Sequence, residues 1–151
     1  MNTRHWIPLF LQTVRYSLLV FGLLKLLSLV QSRELFKLAD PVLLIPTSYV
    51  FFLAAISEIA LFFFLGLRKR LSLRLSTTLW FSGILVIYRT FAHLSSANTP
   101  CPCLGFFADW LPISRATSER LPLVFLSYYL IGSCLGLIIL LKTKENAPII
   151  A

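Results

Sequence analysis

Charge is scarce in this chain of 151 residues. Only 13% of them are Asp, Glu, Lys or Arg, and six are acidic. A soluble domain carries about 25% charged residues and about 45–50% apolar ones. Here 58% are hydrophobic, and the mean hydropathy is +0.83. That excess is too large for one water-soluble core of this length, and no stretch is left over for a separate soluble domain. Other absences exclude whole classes of activity. There is no glycine-rich phosphate loop, no HExxH zinc motif and no nucleophile elbow, so a hydrolase or an ATP-driven pump has no footing. The net charge of +8 comes from basic residues scattered between apolar runs. They form no stripe that would follow a nucleic acid. No long internal repeat or low-complexity tract is present.

What remains is a set of apolar runs of membrane-spanning length. A spanning helix needs roughly 20 apolar residues. Leu121 to Leu141 meets this with no charged residue, and Pro46 to Leu67 meets it with Glu58 as its only charge. Leu75 to Leu94 is interrupted by Arg89 and His93. The first run, Tyr16 to Val30, is short and contains Lys25. It must extend back toward Ile7 or Leu9, giving a span of about 9–30. A secretory signal is the rival for this run. Its h-region is shorter and uncharged and ends at small residues, whereas Lys25 interrupts this one and Leu29-Val30-Gln31-Ser32 makes a poor cleavage site. The pattern predicts an all-α, polytopic membrane protein, a single bundle of four transmembrane helices embedded in the lipid bilayer.

Lys and Arg in short loops set orientation. Arg4, Arg15, Arg68, Lys69, Arg70, Arg74, Lys142 and Lys144 fall on one side, against Arg33, Lys37, Arg115 and Arg120 on the other. The expectation is that both termini face the cytoplasm of a bacterial inner membrane and that the loop 95–120 faces outward. Two segments carry the mixture of apolar, aromatic and charged residues that suits the headgroup level. One is Gln31–Asp40, and the other holds Phe106, Phe107, Trp110 and Leu111.

The outward loop contains Cys101-Pro102-Cys103. A bridge across one residue closes almost no loop, so it removes little entropy from the unfolded chain. Its geometry would be strained, and strained exposed disulfides are the labile, oxidising ones. The spacing therefore suits thiol–disulfide exchange better than stapling, with a structural disulfide or two unreacted thiols as the alternatives. Structural zinc takes four ligands. Only His93 and Asp109 lie nearby in sequence, so no metal site is assigned. Cys134 sits mid-span between Gly132 and Gly136, where a lone Cys behaves as a small buried hydrophobe and the glycine pair serves packing within the bundle.

Ionisable residues inside a membrane are costly and normally face the bundle interior. Glu58 is the only acid in any span, so it is expected to pair with Lys25 or Arg89. Arg89 and His93 lie four apart and share a helix face. Lys25, Glu58, Arg89 and His93 together make either a polar pocket beneath the cysteine loop, suited to a quinone head group or to proton passage, or a buried ion pair that fixes helix register.

In order along the chain, Phe21-Gly22-Leu23-Leu24-Lys25, Asp40-Pro41, Glu58 followed by Gly66 and a basic turn, and Cys101-Pro102-Cys103-Leu104-Gly105 resemble the MauE/DoxX-like redox-associated membrane proteins. The family's signature commonly reads Cys-Gly-Cys-Phe-Gly, and this chain has Pro102 and Leu104 where the family has Gly and Phe. The resemblance implies a four-helix membrane bundle. It also implies a part in disulfide formation or maturation of a periplasmic redox enzyme, typified by methylamine dehydrogenase. Carried over by position, Cys101 and Cys103 are the thiol pair and Lys25 and Glu58 the intramembrane charges. The partner would be a periplasmic thiol protein or redox-enzyme client, and electrons would pass to quinone. The alternative is a non-catalytic assembly or transport factor, or a subunit of a larger membrane complex. A solute carrier is least favoured, because no pair of interrupted half-helices is present.

Overall fold

The computed structural model describes residues 3–31, 39–40, 42–95 and 115–145. These form four helices: α1 (Thr3–Gln31), α2 (Thr47–Leu67), α3 (Leu71–Ser95) and α4 (Arg115–Glu145). Each is long and apolar enough to cross a membrane, over Trp6–Val30, Thr47–Leu67, Leu71–Ala92 and Arg120–Lys142. The chain is an integral membrane protein, and no strand occurs among the described residues.

All four helices extend to or beyond the runs expected from hydropathy, except that α2 begins one residue later, because Pro46 is its N-cap. Hydropathy marks the apolar middle of a helix, while the backbone continues into polar turns wherever that satisfies its own hydrogen bonds. Helix α3 begins at Leu71, so the link from α2 shrinks to residues 68–70 and Arg74 is helical rather than part of a loop. Helix α4 begins at Arg115, and the expected loop 95–120 is shortened from both ends. What is left of that loop, including Cys101, Cys103 and the aromatic cluster after them, lies outside the described residues. So does most of Gln31–Asp40.

Helix α1 carries the core. Its Ile7, Phe10, Leu11, Val14 and Leu18 recur at three- and four-residue spacing and are all buried. They pack in one cluster with Leu61 and Leu65 of α2, Leu75 of α3, and Leu126 and Tyr129 of α4. The most extensive packing is α1 on α2 and α3 on α4. Rings join the two pairs. Phe10 meets Tyr128 at 5.2 Å and Phe21 meets Phe125 at 5.0 Å between centroids, and Ser17 Oγ lies 2.5 Å from Tyr129 Oη.

The outer surface is apolar along every helix: Val20, Leu27, Phe52, Leu53, Phe63, Trp80, Ile87, Ile131 and Ile138 are all exposed. In water this would be an aggregation surface; it is the face expected toward lipid. Several hydroxyls find acceptors within their own helices. Thr13 donates to Leu9 O, Ser28 to Leu24 O, Thr78 to Arg74 O, Ser82 to Thr78 O and Thr90 to Val86 O. No donor in that set is left facing hydrocarbon.

The glycines of α4 serve packing within the chain, as expected. A methyl on Gly132 would run into the Phe10 ring, and one on Gly136 would lie 3.0 Å from Leu75 Cδ1. The two glycines receive α1 and α3 on one face. Cys134 is a correction, because it is exposed. At 100° per residue it sits about 200° around the helix from both glycines, on the face turned away from the core.

Gly132→Leu is expected to destabilise the bundle by about 1–3 kcal/mol through overpacking against Phe10. Gly83 has nothing within 4 Å of its Cβ direction, so Gly83→Ala is expected to be neutral or stabilising by up to about 1 kcal/mol. Thermal unfolding in detergent, followed by circular dichroism, measures both.

Candidate functional site

The buried face of α2 is Phe51, Ala55, Glu58, Leu61 and Leu65. Glu58 belongs to that stripe by spacing, so helical geometry turns its carboxylate inward. It is 4% exposed. On α1, Gly22 lies opposite. A Cβ there would come within 2.9 Å of Ile59 Cγ1 and 3.2 Å of the Ala55 carbonyl oxygen. Glycine therefore lets the two helices approach closely at this level. Three residues further along α1, Lys25 sends its Nζ to Glu58 Oε1, forming an ion pair and a hydrogen bond. The Lys25 side chain is 15% exposed. The other carboxylate oxygen, Oε2, is buried and has no hydrogen-bond partner among the described residues.

The sequence left Lys25 and Arg89 as alternative partners for Glu58, and the structure selects Lys25. The reason is topological: α2 packs on α1, while Arg89 lies on α3, which packs on α4. Arg89 is half-buried, and His93 follows one turn later in α3 with its side chain outside the described part. Of the four expected pocket residues, two are brought together. The cysteine pair lies outside the described residues.

A polar junction that sequence reasoning passed over sits where the chain enters α2. Asp40 is buried, and its Oδ1 accepts the backbone N–H groups of Val42 and Leu43, both at 2.9 Å. Asp40 N–H donates to Ile45 O at 2.8 Å, and Leu44 N–H to Asp40 O at 2.9 Å. Leu44 takes a positive φ of 56° to close this turn. Tyr88 of α3 donates its hydroxyl to Asp40 Oδ2. The turn is thereby tied to α3 one residue before Arg89. The α1–α2 and α3–α4 connections lie at the same end of an antiparallel bundle, so Lys25, Asp40, Tyr88, Arg89 and His93 fall in the half from which the cysteine segment departs. An aspartate before a helix was visible in the sequence; the tyrosine that caps it gave no local signal.

Chemically, the middle of the bundle offers a buried acid–base pair with a spare carboxylate oxygen. Its cation and anion neutralise each other where neither alone would be tolerated. No group of three or more His, Cys, Asp or Glu side chains that could hold a metal occurs among the described residues. Compared with known proteins, the chain matches no family model, no curated protein and no solved structure.

Removing one member of a buried pair leaves an uncompensated charge, at a cost of about 3–5 kcal/mol, whereas replacing both by apolar residues is often neutral. Glu58→Gln and Lys25→Met are each expected to destabilise the protein strongly. The Lys25→Met, Glu58→Leu double variant is expected to recover most of that loss. Denaturant unfolding in mixed micelles across the full double-mutant cycle provides the check.

Proposed function

We propose that this protein is a MauE/DoxX-like thiol–disulfide redox protein of a bacterial inner membrane, with both termini cytoplasmic and the Cys101–Cys103 loop outside. The observation that carries the reading is Cys-Pro-Cys between two membrane helices of a bundle that buries the Lys25–Glu58 pair at its middle.

In the proposed cycle, Cys101 and Cys103 begin as a disulfide. A thiolate of a periplasmic client attacks one sulfur and forms a mixed disulfide, and the client's second thiolate displaces it. The client gains a disulfide, and Cys101 and Cys103 are left as two thiols. The Cys101–Cys103 bond then re-forms as the two thiols give up two electrons and two protons, for which a membrane quinone would be the acceptor. Lys25, Glu58, Arg89 and His93 are the residues assigned to the quinone head group. A Lys ammonium donates to a carbonyl oxygen, and a carboxylate passes protons. The resemblance extends the reading to maturation of a redox enzyme of the methylamine dehydrogenase kind.

One observation favours a second reading, a non-catalytic assembly factor. Lys25 donates to Glu58 Oε1 across the α1–α2 contact, as in a pair that only fixes helix register. The cysteines separate the two readings. In a Cys134→Ala background, a membrane-impermeant maleimide is expected to label Cys101 and Cys103 on intact cells only after mild reduction. A Cys101→Ser, Cys103→Ser variant is expected to lose client oxidation completely while still assembling in the membrane. Full client maturation by that variant would leave the assembly-factor reading standing and end the redox one.

A further inference from the structure

At the other end of the bundle, where the 68–70 link joins α2 to α3, a cleft of about 280 Å³ is lined by Pro8, Gln12, Arg15, Leu65, Gly66 and Arg74. Two guanidinium groups reach it from different helices. The Nε atoms of Arg15 and of Arg74 are both buried without a hydrogen-bond partner among the described residues. The two cations are near enough to act on each other electrostatically. Neither Glu58 nor Asp40 serves them: Glu58 is engaged by Lys25 in mid-bundle, and Asp40 by Tyr88 toward the opposite end.

The site is built rather than incidental. Arg15 Cζ stacks 4.5 Å from the Phe62 ring centroid, which holds the guanidinium plane. Gly66 provides the room, because a Cβ there would lie 2.7 Å from Arg15 Nη2. Two like charges converging on one cleft repel, and an anion between them removes the repulsion and supplies the missing acceptors. Guanidinium forks match the paired oxygens of a phosphate, and the Gln12 amide offers a further donor beside them.

We propose that the Arg15–Arg74 cleft is a phosphate-binding site, filled by an anionic phospholipid headgroup or by free phosphate ion. The test uses the full chain in phosphatidylcholine nanodiscs, supplied with either phosphatidylglycerol or inorganic phosphate. Thermal melting and native mass spectrometry are the readouts. Wild type is expected to retain one phosphatidylglycerol and to melt higher with it than in phosphatidylcholine alone. Arg15→Gln and Arg74→Gln are each expected to weaken that binding by about tenfold or more, the loss of one charged hydrogen-bonding partner. Arg70→Gln, outside the cleft, is expected to retain it. An equal shift with inorganic phosphate, together with displacement of the lipid, identifies the ion as the occupant and keeps the site. The proposal is overturned if wild type responds to neither probe, or if Arg70→Gln loses as much binding as Arg74→Gln. If the Arg variants do not fold, retention of phosphatidylglycerol over phosphatidylcholine by wild type decides alone.

Discussion

The ion pair between Lys25 and Glu58 is the constraint around which the bundle is arranged. A membrane interior tolerates a lone charge poorly, so once Glu58 is on the buried face of α2, a cation must come from a neighbouring helix. Lys25 meets that need only if α1 lies close to α2 in one register, and Gly22 makes the approach possible. The same register places Arg15 beside Phe62 and Gly66 at the far end of α2. One residue, Glu58, therefore fixes how α1 runs along α2. The apolar core of α1 then sets where α3 and α4 attach.

The two ends of the bundle differ in chemistry. From mid-bundle to the α1–α2 turn the acids are held: Glu58 pairs with Lys25 through one carboxylate oxygen, and Asp40 accepts from two backbone N–H groups and Tyr88. At the end of the 68–70 link two cations, Arg15 and Arg74, converge on an open cleft. Both features rest on the same helix pair, α1 and α2. The α3–α4 pair contributes Tyr88 and Arg74, one residue to each end, and carries the cysteine segment between its helices.

Much of this was legible in the sequence. Run lengths gave four spans, and the scarcity of acids marked Glu58 as a residue that must find a cation. The choice of Lys25 over Arg89 was not legible, because hydropathy says which segments cross a membrane and not which of them are neighbours. Cys134 was misread for a related reason. Its mid-span position said nothing of its angle around α4, although its offset from Gly132 and Gly136 held that information. Arg74 was assigned to a loop because the apolar run of the third span begins at Leu75, yet the helix starts at Leu71 and brings Arg74 to the cleft that Arg15 also lines. Tyr88 had no signal at all; its role exists only through contact with Asp40, 48 residues earlier.

The dependence of the bundle on a charged pair is most directly read from the ionisation of Glu58 in a bilayer. Infrared spectra of the reconstituted protein with isotopically labelled glutamate, taken beside the Glu58→Gln variant, isolate that one side chain. A true ion pair gives a carboxylate stretch at neutral pH that disappears in the variant. A protonated carboxyl stretch at neutral pH in place of the carboxylate band would mean that Lys25 and Glu58 share a neutral hydrogen bond, and the electrostatic basis for the α1–α2 register would be wrong.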